Sequence, residues 1–228
     1  MRYGIIAEGM ADISVIRGIL KYLLQVDGTD IYPIRPRETI DETDAAEMRF
    51  SNWELVMHTC ADNNILSAFF DTIDEDGVII IHIDTAERGE VNYNVPLPVR
   101  TGNMDWVTYA TQLRKAVKDR LEMNIPERYR EKMIYAIAIE ETDAWLIPIF
   151  SKPNTDTFSY ANPKERLQVL INTLGSKKKK YINTHKGHLD YQEIAQQLKR
   201  ALPVCRQFNR SLDMFCTELE ATNTPTKQ

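Results

Sequence analysis

Cysteine is scarce in this chain. Its three thiols, Cys60, Cys205 and Cys216, form no CxxC pair and no metal-type spacing. That excludes a disulfide scaffold and a thiolate zinc ribbon, and implies reduced, buried cysteines of a cytoplasmic protein. Apolar runs are short. None approaches the roughly 20 residues needed to span a bilayer, so no membrane segment is expected. No basic stretch followed by a long apolar one opens the sequence, so no signal peptide is expected either. Excess positive charge is missing too. The formal net charge is -5, which excludes a generic basic coat for nucleic acid but leaves room for a local basic patch. Internal repeats and low-complexity segments are absent. What remains is 228 residues, enough for one α/β domain with a sizeable core and a small helical appendage.

The hydrophobic pattern alternates between strand and helix. Residues 2–7 and 31–35 read as strands, and "VIIIHID", 78–84, is the clearest strand of all. Its β-branched run suits burial on both faces, as in a parallel sheet. "MIYAIAI", 133–139, is a fourth strand. Helical spacing marks 11–25, where Ile13, Ile16, Ile19, Leu20, Leu23 and Leu24 share a face, and also 52–72 and 105–123, the last with Asp105 as its N-cap. A short helix at 142–150 is expected to be limited by Pro148. Further helices are predicted over 163–174, opened by Pro163, and over 190–201 and 204–220. Residues 36–51 and 175–188 read as loops, the second one basic, and the last eight residues as a frayed end. The alternation implies βαβ units. The expected fold is therefore α/β, a Rossmann-like, mainly parallel sheet flanked by helices, with a core over 1–150 and a helical C-terminal extension over 151–228.

Three of these strands end on acids. The first ends at Glu8-Gly9, with Asp12 a turn later. The third ends at Asp84, with Glu87 beyond it, and the fourth at Glu140 and Glu141, with Asp143 close behind. A single acid at such a position is ordinarily a solvated end or a helix cap. Ligands of open parallel sheets, however, bind outside the carboxyl ends of the strands, and neighbouring strands would gather these carboxylates there. Like charges so placed repel unless a cation joins them. Oxygen donors with few histidines select Mg²⁺ or Mn²⁺ over Zn²⁺. The expected metal set is Glu8, Asp12, Asp84, Glu87 and one or both of Glu141 and Asp143. Gly9 would let a phosphate approach the start of the helix.

In this arrangement "IIAEGMAD" and "IIIHIDTAERGE" resemble the two motifs of the Toprim domain, the metal-binding fold of type IA topoisomerases, primases and OLD-family nucleases. The resemblance places the catalytic glutamate at Glu8 and the first aspartate of the Asp-x-Asp motif at Asp84. The second aspartate falls on Ala86, with Glu87 one residue on. "IEETDAWLI", 139–147, and "KKYINTHKGHLDYQEIAQQL" followed by "CRQFNRSLDMF" are similar to segments of small bacterial Toprim-like proteins related to RloB. The resemblance implies a metal-dependent nuclease of bacterial anti-phage defence. Partners would be DNA or RNA, an ATPase or other subunit of a defence complex, and a second copy of the chain. Ala86 favours a rival reading, a non-catalytic sensor or partner-binding subunit. A third is a ribonuclease that processes structured RNA.

Lys177, Lys178, Lys179 and Lys180 form a basic run. It reads either as a solvated loop or as an edge gripping phosphates. Lys186, between His185 and His188, is the lysine assigned to reach a scissile phosphate; the two histidines make a poor metal pair. His82 is expected as a packed residue supporting Asp84. Trp145 is expected to lock the acid-bearing segment into the core, and Cys205 and Phe208 to pack between helices. The acids at 74–76 lack the twelve-residue calcium-loop pattern and read as a turn.

Overall fold

The computed structural model describes residues 1–36, 52–72, 76–96, 105–175, 182 and 189–223. Nearly all of the loop expected over 36–51, half of the turn at 74–77 and nearly all of the basic loop at 175–188 lie outside them. Four strands, β1 (Arg2–Ile6), β2 (Ile31–Arg35), β3 (Gly77–Asp84) and β4 (Met133–Ala138), form one sheet in the order β2-β1-β3-β4. Every pairing is parallel. The expected α/β, Rossmann-like parallel sheet flanked by helices is what the chain adopts.

Side-chain alternation divides the sheet into two buried faces. Tyr3, Ile5, Ile80, Ile134 and Ala136 belong to one cluster, with α1 (Met10–Leu23). Ile6, Ile79, Ile81, Ile83, Tyr135 and Ile137 belong to the other, with α2 (Asn52–Ala61), α3 (Asn63–Asp71) and α4 (Trp106–Glu122). A short α5 (Glu127–Arg130) precedes β4. The chain moves from β1 to β2 in one direction, then crosses back over β1 to β3 and β4. Right-handed crossovers in opposite directions put their helices on opposite faces. The reversal leaves a crevice at the carboxyl ends of β1 and β3, where such sheets bind ligands.

The C-terminal helices complete the α1 face rather than hanging from the core. α6 (Asp143–Phe150), α7 (Pro163–Asn172), α8 (Tyr191–Phe208) and α9 (Arg210–Thr222) bury Trp145, Leu167, Leu198 and Phe215 in the same cluster as β1 and α1. Gly18 of α1 makes this close approach possible. A Cβ there would lie 3.0 Å from the Ala195 Cβ and 3.2 Å from the Ala195 carbonyl of α8. Gly18→Val should therefore cost about 1–3 kcal/mol by overpacking, read as a lower thermal midpoint.

Three boundaries and the effect of Pro148 differ from the sequence expectation, each for a local reason. Residues 52–72 make two helices, because the Asp62 carboxylate takes the Asn64 and Ile65 amides (2.8 and 3.3 Å) and starts a new one. α6 runs past Pro148 to Phe150. The Ala144 carbonyl that a proline cannot serve is instead taken by the Thr157 hydroxyl at 2.7 Å. The C-terminal break falls at Asn209 and not before Pro203, since Asn209 caps α9 through the Leu212 amide (3.0 Å). α9 itself continues to Thr222, into the stretch expected to fray. Among the described residues, no helix is long and apolar enough to cross a membrane.

Candidate metal centre at the strand ends

Glu8 lies two residues past the end of β1, and α1 begins two residues later with Gly9 as its N-cap. The positive end of α1 thus opens beside the crevice. Glu8 Oε1 accepts the Asp84 amide at 2.7 Å, which ties the ends of β1 and β3 together. Asp12 turns back over the first turn of α1, and its Oδ2 accepts the Gly9 amide at 2.9 Å. Asp84 Oδ1 accepts both the amide and the hydroxyl of Thr142, at 3.1 and 3.0 Å. Each of the three carboxylates is held by one oxygen. The other oxygen of each makes no hydrogen bond among the described residues.

His82 lies two residues before Asp84 on the same face of β3 and is fully buried. Its Nε2 is 2.6 Å from the Thr142 hydroxyl oxygen and 3.6 Å from Asp84 Oδ1. Its Nδ1 is 4.0 Å from Asp12 Oδ2 and makes no hydrogen bond among the described residues. One donor atom from each of Asp12, His82 and Asp84 falls within 4.8 Å of the other two. Asp12 and Asp84 are 13% and 21% exposed, so the group is reachable from the crevice.

The carboxylates of the crevice are buried and crowd one another. Burial, helped by the charges of Asp12 and Glu87, pushes the Glu8 carboxyl up to about 8, against a lowering by the Asp84 amide. Burial and the neighbouring Asp12 and Glu8 push Asp84 well above the carboxylate range. Burial keeps His82 below its ordinary value, so the imidazole is neutral. The sign for stability follows. Glu8 loses its proton at about 4.5 when unfolded and at about 8 when folded, so its contribution falls as pH rises between those values. A cation must displace these protons, so metal affinity should rise over the same interval. Titration calorimetry at pH 7 in buffers of different ionisation enthalpy is expected to show proton release on binding. Thermal midpoints of the metal-free protein should drop from pH 5 to 8.

The other expected ligands divide. Asp143, at the start of α6, is buried, and its Oδ1 accepts the Tyr191 hydroxyl of α8 at 2.7 Å. Burial raises it to about 6, and its charge is felt at Asp84. Asp143 borders the centre, positioned by the C-terminal segment. Glu141 turns away: its Oε2 accepts the Lys164 amide at 3.0 Å, at the N-terminus of α7. Glu140 adopts φ 63°, with its carboxylate 3.4 Å from Arg88. Glu87 is exposed in the turn after β3 and touches the centre only through its charge on Glu8. Ala86 is exposed beside it.

Gly9 has φ -149°, an extended conformation open to any residue, and a Cβ would meet Asp12 Oδ2 at 3.4 Å. The backbone therefore does not require a glycine there; space at the helix start is the property a bound phosphate would use. Lys177, Lys178, Lys179, Lys180 and Lys186 lie outside the described residues.

Two participants go beyond the acids read from sequence. His82 was legible as a neighbour of Asp84 through the two-residue period, but its approach to Asp12 depends on how α1 docks. Thr142, which joins His82 to Asp84, carried no signal in a stretch that reads as the start of a helix.

Fold and site together define a class: a parallel α/β protein with a tethered acidic and imidazole cluster at the switch point of its sheet. No family model, no curated protein and no solved structure matches this chain.

Proposed function

We propose that the protein is a metal-dependent phosphodiesterase that cuts nucleic acid, built in the manner of a Toprim nuclease and acting in anti-phage defence. The observation that carries this reading is the meeting of Glu8, Asp12 and Asp84 at the β1/β3 crevice, each with one oxygen tethered and one left open. The donor set fits Mg²⁺ or Mn²⁺: carboxylates predominate, crowded enough to hold protons at neutral pH without a cation. Asp84 and Asp12 would hold the ion, with Asp143 at its border. A bound ion of this kind polarises a phosphate and lowers the pKa of a water. Glu8, with a carboxyl at about 8, exchanges a proton near neutrality and suits general acid-base work. Thr142 fixes the direction of Asp84 through two hydrogen bonds. The start of α1, and the lysines Lys177–Lys180 and Lys186, would hold the nucleic-acid backbone.

Purified protein given DNA, tRNA and ribosomal RNA with Mg²⁺ or Mn²⁺ tests this. Cleavage is expected, and should fall at least about 100-fold in Glu8→Gln and Asp84→Asn. Metal binding without cleavage of any of the three would overturn the nuclease reading. It would favour a sensor or partner-binding subunit, the reading supported by the exposed Ala86 where the motif has its second aspartate. Cleavage of RNA alone would narrow the activity to a processing ribonuclease.

A further inference from the structure

His82 differs in kind from the carboxylates around it. Thr142 Oγ1 has one proton to give and two neighbours, His82 Nε2 at 2.6 Å and Asp84 Oδ1 at 3.0 Å. Asp84 Oδ1 accepts the Thr142 amide and takes the hydroxyl proton as well. The contact at Nε2 must then run the other way, from the ring N–H to Oγ1. A neutral imidazole with its proton on Nε2 has its lone pair on Nδ1.

Among the described residues that lone pair points at nothing that could donate to it. Nδ1 is fully buried, has no hydrogen-bond partner among the described residues, and lies 4.0 Å from Asp12 Oδ2, an oxygen engaged by the Gly9 amide. Two electron-rich atoms thus face each other across a gap too wide for a hydrogen bond. A packed structural histidine ordinarily has both nitrogens satisfied. A histidine ligand has one nitrogen held by a hydrogen-bond partner and the other left open, and the held nitrogen fixes the ring's orientation. The chain Asp84–Thr142–His82 supplies that hold. The edge of the ring is braced by Trp145, 5.8 Å away at 86°.

We propose that His82 Nδ1 is a direct ligand of the ion held by Asp12 and Asp84, so that the centre selects Mn²⁺ over Mg²⁺. This rests on the metal-dependent reading above. Mg²⁺ favours an all-oxygen octahedron, whereas Mn²⁺ accepts imidazole nitrogen beside carboxylates. The sheet makes the mixed donor set: positions 82 and 84 share a face of β3, and α1 brings Asp12 over it.

Pulsed electron paramagnetic resonance of the Mn²⁺-loaded full chain tests the assignment. Nitrogen-14 modulation from a directly bound imidazole is expected, and should vanish in His82→Gln. Calorimetry should show Mn²⁺ binding on the order of 10–100-fold tighter than Mg²⁺, with the preference lost in the same variant. If His82→Gln does not fold, a chain with His58, His185 and His188 all changed to Gln keeps His82 as its one imidazole; the modulation must persist there. Mn²⁺ binding without nitrogen modulation, or modulation that survives His82→Gln, overturns the role of His82 and leaves the carboxylate centre standing. Absence of binding by either ion overturns both.

Discussion

Asp84→Asn is expected to melt above the parent protein in the presence of chelator and to lose its response to Mn²⁺. The two effects share one cause. Asp84 sits among Asp12, Glu8 and Asp143, and burial with their charges drives its carboxyl far above the ordinary range. Asparagine keeps an oxygen for the Thr142 amide and hydroxyl and brings no charge. Removing a group that must take up a proton to stay buried should be worth on the order of 1–2 kcal/mol, or about 2–8 °C in thermal midpoint for a chain of this size. The parent should instead gain about 2.7 kcal/mol when Mn²⁺ stands at 100 times its dissociation constant. The variant should gain almost nothing. A scan of both proteins, with chelator and with Mn²⁺, gives four midpoints whose order should invert. If Asp84→Asn melts lower than the parent in chelator, Asp84 is a structural group and the reading of the crevice as a cation site fails.

Trp145→Ala should be the most damaging single substitution in the core, at about 3–5 kcal/mol. Trp145 is fully buried, stacks on Phe215 of α9 at 5.8 Å and 19°, and gives its indole N–H to Ser211 at 2.8 Å. Ser211 donates to Asn209 Oδ1 (2.8 Å), Asn209 Nδ2 donates to Thr157 (3.0 Å), and Thr157 donates to the Ala144 carbonyl (2.7 Å), back in α6 beside Trp145. This buried circuit ties the α8–α9 junction to the segment that carries Thr142 and Asp143. Removal of the indole opens a cavity and breaks the circuit. Denaturant midpoints should report the loss. Trp145→Phe, which keeps an aromatic ring against Phe215, should recover more than half of it. Mn²⁺ affinity should fall in Trp145→Ala as well, because the ring also braces His82. A loss of stability with unchanged affinity would show that α6 holds Thr142 without help from the tryptophan.

Three of the strands were legible as apolar runs that stop at an acid, and β2, which ends before Pro36, was read to the residue. Helix existence was equally plain, since apolar side chains recur on one face. Helix limits were less so where the deciding bond is to a distant residue. The continuation of α6 through Pro148 depends on Thr157, and Asp62 reads as one more polar residue in a helical pattern until its carboxylate is seen to cap α3. The acids of the centre were legible for the same reason as the strands: Glu8 and Asp84 mark their ends. Glu141 looked equivalent to them, yet it serves the first turn of α7. The hydrogen bond to the Lys164 amide spans twenty-three residues, and no local pattern announces it.

By itself, then, the sequence determined the class of the fold, the parallel sheet and the strand ends on which carboxylates stand, because these follow from side-chain period and from where apolar runs stop. Only the tertiary structure decided which acids meet. The strand order puts β1 beside β3, so Glu8 and Asp84 share a crevice. The docking of α1 and α6 over one sheet face then brings Asp12 and Thr142 to His82 of β3. Strand order and helix docking are set by long-range packing across the whole core, and pairwise distances of that kind leave no periodic trace in a single chain.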